Sequence, residues 1–375
     1  MMQRLGDYIR PVDVRNRDLK VTRLLGVSIN KEFMPSIANI VGTDLSAYKV
    51  VYKGQFAYGP VTSRNGDKIS VALLREDDAI ISQAYEVFEI ADTNALDPEY
   101  LMMWFRRPEF DRYARFHSHG SAREVFDWDE MCEVQVPVPD INEQRNIVAE
   151  YKTLQTRIET NKKLIATLEQ TAQTLYRHTF IDNIDPNNLP EGWKTDVLES
   201  FVDVKRGGSP RPIQDYMSDK GFPWLKISDA TADDAPFILD IKECIKESGL
   251  NKTVFLKRGA LVLSNSATPG IPKILDIDSC VHDGWLYFLN SKFSREYLYL
   301  FFKENRQNLV SEGNGSIFTN LKTDIVKSCK ICVAPKDVYA DFQKNVEPLF
   351  NMILTCQRMH RVLTNLVDMI LCKCS

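Results

Sequence analysis

The feature that most constrains the fold of this chain is an internal repeat, whose two copies contain the same pattern at the start of a long helix. VPVPDINEQRNIVAEYKTLQ starts at Val136, and KICVAPKDVYADFQKNVEPLF starts at Lys330. Each stretch predicts a short apolar strand, a proline, a polar cap and then a helix. Gln144 aligns with Gln343 at an offset of 199 residues. A chain with two copies of one sequence pattern is expected to fold as two similar units.

Two further pairs of segments upstream of the helices support the repeat. EYLMMWFRR from Glu99 aligns with EYLYLFFKE from Glu296 at an offset of 197 residues. HGSAREVF from His119 aligns with NGSIFTNL from Asn314 at an offset of 195 residues. Loop insertions produce this kind of drift. The chain therefore predicts two units of similar length, each a globular part followed by a long helix.

The globular parts combine strand and helix patterns. KISVALL and GALVLSN are β-rich runs bounded by Gly, Asp or Pro, and KGQFAYG at Lys53 pairs with KRGALVLS at Lys257. DPEYLMMWFRRPEF and SREYLYLFFKENRQNL predict helices, because an Asp or Ser cap precedes aromatic residues and leucines at helical spacing. The expected fold class is α+β. The expected domains are 1–140 and 190–335, with a central helix in 141–189 and a distal helix in 336–375.

Both long helices carry an apolar repeat of seven residues, which is typical of a coiled coil. An apolar stripe of this length needs a partner helix, and the other copy is the economical partner. We expect an antiparallel pair with one globular domain at each end and approximate two-fold symmetry. The alternative is that each helix packs only on its own globular part. The repeat positions are Tyr151, Leu154, Ile158, Asn161, Ile165, Leu168, Ala172 and Leu175, then Val346, Leu349, Ile353, Cys356, His360, Leu363, Val367 and Ile370.

Asn161 and His360 are polar residues on these apolar stripes, and they occupy equivalent positions of the repeat. Equivalent residues near the midpoint of an antiparallel pair meet each other. We expect their side chains to share a hydrogen bond that fixes the register of the two helices. The alternative is that both face solvent or a partner subunit.

Composition and missing motifs limit the classes of function. No stretch approaches a membrane span and the N-terminus has no secretory pattern, so we expect a cytoplasmic protein. The CxxC spacing of Cys329 and Cys332 lacks a second pair of ligands, so we expect no metal site. The chain has no phosphate-binding loop, no Gly-rich dinucleotide fingerprint and no Asn-Pro-Pro-aromatic motif of amino-methyltransferases. The sequence gives no positive reason to propose catalysis.

The helix-start pattern, the LPEGWKTDVLESF opening of the second unit and the repeated order resemble the specificity subunit of a type I restriction–modification system. The resemblance covers the whole chain. It implies two target-recognition domains, each reading one half of a split sequence in double-stranded DNA. It implies helices that space these domains and dock two modification subunits. It places S-adenosylmethionine on the modification subunits, and ATP and Mg on restriction subunits. This chain would bind no cofactor itself.

Candidate DNA-contacting residues follow from local clusters of basic and amide side chains. The net charge of −4 argues against a general polyanion binder, but local positive stripes can still hold phosphates. Arg and Lys suit guanine, and Asn suits adenine. The runner-up function is a coiled-coil scaffold whose globular domains bind protein. The candidates are Lys53, Arg64, Asn65, Lys68, Arg112, Arg115, His117, His119, Ser121, Arg123, Lys205, Arg206, Arg211, Asn265, Ser266, Lys273, Asn314 and Ser316.

Overall fold

The computed structural model describes residues 2–37, 42–63, 65–120, 123–182, 184–312 and 320–373. The chain divides into two units. The first unit is Met1–Arg157 with Leu363–Ser375, and the second unit is Ile158–Val362. The division falls inside both long helices, so each helix contributes residues to both units. The domain bounds expected from the sequence stay a prediction.

The described part of the first unit has nine short strands and three α-helices before its long helix. A tenth strand precedes that helix directly. The strands are β1 (Met2–Arg4), β2 (Ile9–Val12), β3 (Leu25–Val27), β4 (Phe33–Pro35), β5 (Lys49–Val51), β6 (Phe56–Tyr58), β7 (Val71–Leu73), β8 (Ala79–Ile81), β9 (Glu86–Ile90) and β10 (Gln135–Pro137). The helices are α1 (Pro98–Phe105), α2 (Pro108–Phe116), α3 (Trp128–Glu133) and α4 (Ile141–Phe180).

The second unit repeats this order with insertions. The strands are β11 (Lys194–Val197), β12 (Asp203–Arg206), β13 (Met217–Ser218), β14 (Phe222–Leu225), β15 (Phe237–Ile238), β16 (Cys244–Ile245), β17 (Val254–Leu256), β18 (Leu261–Ser264), β19 (Pro272–Leu275), β20 (Ser279–Val281), β21 (Trp285–Leu289) and β22 (Lys330–Val333). The helices are α5 (Ile227–Ala230), α6 (Arg295–Glu312), α7 (Thr323–Ser328) and α8 (Lys336–Lys373).

The sheets of the two units have matching strand orders. The main sheet runs β2-β9-β6-β7 in the first unit and β12-β21-β18-β19 in the second, where β15 adds a fifth strand beside β19. The pair β1-β10 corresponds to β11-β22, and the antiparallel pair β5-β8 corresponds to β17-β20. The internal repeat predicted from the sequence is therefore present in the topology, and the α+β class is confirmed.

A turn in the KGQFAYG and KRGALVLS segments shows how closely the repeat is kept. Gly54 and Gly259 both have positive φ, at 91° and 94°. The Gly54 amide donates to Leu74 O at 2.8 Å, and the Gly259 amide donates to Leu275 O at 2.7 Å. Only glycine adopts this backbone region without strain. The paired sequence segments therefore form the same turn before the same strand.

The predicted long helices are present, and their apolar stripes are buried. In the first unit the beginning of α4 packs against the end of α8, through Val148 and Ile370. In the second unit the end of α4 packs against the beginning of α8, through Ala172, Phe342 and Val346. The two helices are therefore antiparallel, as the seven-residue repeat predicts. Burial of the stripe provides the hydrophobic stabilisation that isolated helices lack.

Candidate nucleic-acid interface

The first unit brings two predicted segments together, one after β6 and one after α2. Val61 pairs with Val125 in an isolated β-bridge, and the Thr62 amide donates to Glu124 O at 3.0 Å. The Thr62 hydroxyl also donates to Ser118 Oγ at 2.9 Å. These contacts join two loops that the sequence proposed separately as DNA-contacting. We call residues 61–63, 65, 115–120 and 123–130 the first polar patch.

Two carboxylates contact three basic side chains of the first polar patch. Arg115 forms an ion pair with Glu124. Glu130 accepts at 2.9 Å from His117 Nδ1 and lies 3.4 Å from His119 Nε2. The ring of His117 also stacks on Tyr113, with 4.1 Å between the centroids. The carboxylates therefore order the side chains before any ligand arrives, and they offset part of the local positive charge.

A buried ion pair that was not predicted from the sequence fixes the helix next to the first polar patch. Lys31 Nζ lies 2.6 Å from Asp111 Oδ1, and both side chains are almost fully buried. The same carboxylate oxygen accepts from the Ile69 amide at 3.1 Å. Burial lowers the pKa of Lys31, while the hydrogen bond to Asp111 opposes that change. The pair ties the β3–β4 hairpin and the loop before β7 to α2, the helix that carries Arg115.

The other first-unit candidates lie on the surface or outside the described residues. Lys53, Lys68 and Arg123 are exposed, and Arg112 pairs with Glu109 at 2.9 Å. Asn65 Nδ2 donates to Val61 O at 3.4 Å. The candidates Arg64, Ser121, Asn314 and Ser316 lie outside the described residues.

The second unit gathers a comparable group of side chains around one carboxylate, Asp283. Ser209 Oγ donates to Asp283 Oδ1 at 2.5 Å, and Arg211 Nη2 lies 3.3 Å from Oδ2. Arg206 Nε and Asn265 Nδ2 both donate to the backbone oxygen of Asp283, at 2.6 and 3.2 Å. The Ser209 hydrogen bond lowers the pKa of Asp283, against the effect of partial burial. We call Arg206, Ser209, Arg211, Asn265 and Asp283 the second polar patch.

The remaining second-unit candidates differ in how far their side chains are exposed to solvent. Lys205 is exposed on β12, and Ser266 is half-buried after β18. Asn265 is buried, and its Oδ1 has no hydrogen-bond partner among the residues described. Lys273 is also buried, and its Nζ donates to Asp233 O and Ala235 O at 2.8 and 2.6 Å. Burial lowers the pKa of Lys273. In this conformation the Lys273 ammonium is directed into the protein.

Sequence reasoning missed the carboxylates at the centre of both polar patches. Glu124 and Glu130 lie in or just after the basic segment that starts at Arg106, and Asp283 forms an Asp-Gly turn between two apolar strands. An Asp-Gly pair between strand patterns indicates a turn and could have drawn attention to Asp283. Nothing local to these residues indicates which arginine they contact.

Asn161 and His360 both lie in the second unit, where their side chains are partly buried. Asn161 Nδ2 has no acceptor in the described part of the chain. Burial lowers the pKa of His360, and the nearby Lys162 ammonium acts in the same direction. A neutral imidazole suits the predicted hydrogen bond to an amide. The direct pairing of these two residues stays a prediction.

None of the described helices is long and apolar enough to cross a membrane. Within the same ranges, no group of three or more His, Cys, Asp or Glu side chains is placed to hold a metal ion.

Comparison with known proteins decides the family. Residues 30–170 and 190–361 match the family described as Type I restriction modification DNA specificity domain. The chain belongs to this family. It contains two copies of the domain, and it is a DNA specificity subunit of the type I restriction–modification class.

Two curated relatives agree with that assignment, and a solved structure has a similar fold. The chain is 22% identical to the type I restriction enzyme MjaIX specificity subunit of Methanocaldococcus jannaschii, across 73% of this chain and 67% of the relative. It is 20% identical to the HindI specificity subunit of Haemophilus influenzae, across 92% and 91%. The fold is similar to the crystal structure of a type I system S subunit from M. genitalium, with a TM-score of 0.61 and 13% identity over 99% of this chain and 94% of that chain.

Proposed function

We propose that each unit of this specificity subunit reads one half of a bipartite, asymmetric DNA sequence. The observation that carries the proposal is the repeat itself. Two copies of a DNA specificity domain share one strand order, yet their polar patches are built from different residues. Arg115, Glu124 and Glu130 belong to the first patch, whereas Arg206, Arg211 and Asp283 belong to the second. Shared scaffolds with different polar side chains suit two half-sites of different sequence.

The long helices would set the distance between the half-sites and dock the partner subunits. Helix α4 has 40 residues and is therefore roughly 60 Å long at about 1.5 Å per residue. That length corresponds to about 17 base pairs at roughly 3.4 Å each, which sets an upper bound on the separation. Two modification subunits would bind the helices, and restriction subunits would complete the complex.

Catalysis would belong to those partners in the cytoplasm. The modification subunits would bind S-adenosylmethionine and methylate adenines, and the restriction subunits would bind ATP and Mg. This chain would supply sequence recognition and geometry, and would bind no cofactor itself. In the complex its basic side chains would contact phosphates, and a smaller number of side chains would reach base edges.

A domain exchange tests the proposal. Residues 190–335 are replaced by the equivalent segment of a relative that methylates a different sequence, and the variant is expressed with the modification subunit. Single-molecule sequencing then identifies the methylated adenines in the host genome. We expect one half of the recognition sequence to change and the other half to stay as it was. If both halves changed, or neither did, the modular interpretation would be wrong.

A further inference from the structure

We propose that Asp283 is a specificity-determining residue, which accepts a hydrogen bond from the exocyclic amino group of one cytosine or adenine. The contact would lie in the half-site read by the second unit, so the inference rests on the proposed function. Asp283 occupies the turn between β20 and β21, and its side chain is 41% exposed. It is the acidic residue of the second polar patch, which otherwise consists of arginines, a serine and an amide.

The Asp283 turn is held in place from several directions. Ser209 Oγ holds one carboxylate oxygen at 2.5 Å, and the Arg211 guanidinium lies 3.3 Å from the other. Arg206 Nε holds the backbone oxygen at 2.6 Å. A Cβ on Gly207 would lie 2.2 Å from the backbone oxygen of His282, so the strand after Arg206 approaches this turn closely. Contacts of this kind fix a recognition group before binding.

The carboxylate also has free capacity to accept a hydrogen bond. Two carboxylate oxygens offer about four lone-pair sites, and Ser209 and Arg211 use only part of them. The Ser209 hydrogen bond lowers the pKa of Asp283, so the group is ionised at neutral pH and can only accept. A position where Asp283 faces a phosphate would be repulsive, because both groups are negative.

Base edges offer the complementary donors. In the major groove the donating groups are the N4 amino group of cytosine and the N6 amino group of adenine. Guanine and thymine present acceptors in the major groove and would be repelled by the carboxylate. The flanking Arg206 and Arg211 would bind the nearby phosphates or a guanine. Their attraction to DNA would outweigh the repulsion between the Asp283 carboxylate and the phosphates, so the carboxylate could reach the groove. The geometry therefore points to discrimination by Asp283 at a single base pair.

Asp278 offers a matched control on the preceding turn, between β19 and β20. Its side chain is 42% exposed, close to the value for Asp283. It also pairs with a basic side chain, since Lys257 Nζ lies 2.9 Å from Oδ2, and it accepts from the Arg258 amide at 2.8 Å. It differs from Asp283 in lying outside the second polar patch.

The test compares the methylated motifs of four proteins co-expressed with the modification subunit. They are the wild type, Asp283→Ala, Asp283→Ser and Asp278→Ala. We expect both Asp283 variants to relax the motif at one base pair of one half-site, because neither side chain carries an acceptor at the reach of the carboxylate. Methylation of the original site should fall about 10- to 100-fold, the range expected for loss of one good base contact. Asp278→Ala should keep the wild-type motif.

A second measurement uses duplexes and separates a loss of specificity from a folding defect. The wild-type and Asp283→Ala complexes are tested on duplexes in which each base pair of the half-site is exchanged in turn. One cytosine or adenine should be essential for the wild type, and exchange of that base should cost the Asp283→Ala complex little more. The inference is overturned if the Asp283 variants lower methylation at all sites with an unchanged motif, or if Asp278→Ala has the same effect.

The two proposals fail in distinguishable ways. If the modular function is wrong, exchange of residues 190–335 does not change one half-site alone, whatever Asp283 does. If only the inference is wrong, that exchange changes one half-site, while substitution of Asp283 leaves the motif as it was.

Discussion

The two units begin their long helices with the same glutamine, but the glutamine makes different contacts in each. Gln144 is fully buried, and its Oε1 accepts from the Asp97 amide at 2.8 Å. Its Nε2 donates to Ala95 O and Pro139 O at 3.0 and 2.8 Å. Gln343 donates to Glu296 Oε2 at 3.4 Å, and its Oε1 has no partner in the described ranges.

The difference comes from the loop before the preceding helix. In the first unit that loop presents the backbone oxygen of Ala95 and the backbone amide of Asp97. The side-chain amide of Gln144 forms hydrogen bonds with both groups. In the second unit Gln343 reaches the side chain of Glu296, which is already paired with Arg295. The repeat therefore keeps the residue and its position, whereas the strength of its hydrogen-bond network depends on the neighbouring loop.

The turn that follows β8 and β20 keeps its backbone in both units but differs in its side chains. Tyr85 and Trp285 donate their amides to Ser82 O and His282 O, at 3.1 and 3.0 Å, so the backbone turn is the same. The first unit has no acidic residue in this turn, whose sequence is SQAY, whereas the second has HDGW with Asp283. One scaffold thus presents different chemistry at equivalent positions.

The largest effect is expected from removing the two glutamines. Gln144→Ala leaves three partly buried backbone groups without their side-chain partner, so we expect a loss of roughly 3 kcal/mol in the free energy of unfolding. Gln343→Ala removes one long hydrogen bond and should cost about 1 kcal/mol or less. Urea unfolding followed by circular dichroism measures both. Gln170→Ala, at an exposed glutamine of α4, is the control. Equal losses from Gln144→Ala and Gln343→Ala would break the comparison.

A smaller effect, on DNA affinity, is expected in the first polar patch. The double variant Arg115→Ala, Arg123→Ala should weaken binding of the assembled complex about tenfold on every sequence. The slope of log affinity against log salt should fall by about 0.9 for each phosphate contact that is lost. Arg10→Ala is the control, because Arg10 is exposed and pairs with Glu89 outside the patch. Unchanged affinity at every salt concentration would remove Arg115 and Arg123 from the interface.

The smallest effect concerns equivalent positions of the two helices. If Asn161 and His360 share a hydrogen bond, Asn161→Leu and His360→Leu will not act independently. Each single change would leave a buried polar group unsatisfied, at roughly 1–3 kcal/mol, and the double change should recover part of that loss. We expect a coupling of about 1 kcal/mol in a thermal-unfolding cycle. Additive single-variant effects would show that the pair does not form.

The sequence predicted the parts of the fold that depend on local periodicity. The repeat, the α+β class and the two long helices follow from patterns that recur every two or seven residues, or once per unit. Burial of Ile165 and Ala172 on α4, and of Val346 and Ile353 on α8, agrees with the seven-residue pattern. Periodic burial can be predicted from a sequence because an apolar residue can pack against any apolar neighbour and does not need one particular partner.

The polar patches could be predicted only as separate basic clusters. The sequence identified Arg115, Arg206 and Arg211, but it did not identify Glu124 or Asp283 as their partners. An ion pair such as Arg211–Asp283 joins residues 72 positions apart, and its formation depends on how β12, β20 and β21 align. Lys273 illustrates the same limit. It looked like a surface cation in the sequence, but β19 turns it inward onto the backbone of Asp233 and Ala235.

The sequence by itself determined that the chain has two units of the same fold and a pair of long helices. Both features follow from repeated short-range patterns of apolar residues. The tertiary structure alone decided which charged side chains contact each other and which basic side chains stay exposed. Hydrogen bonds and ion pairs are directional and short-ranged, so they depend on the ångström-scale placement of strands that are distant in the chain.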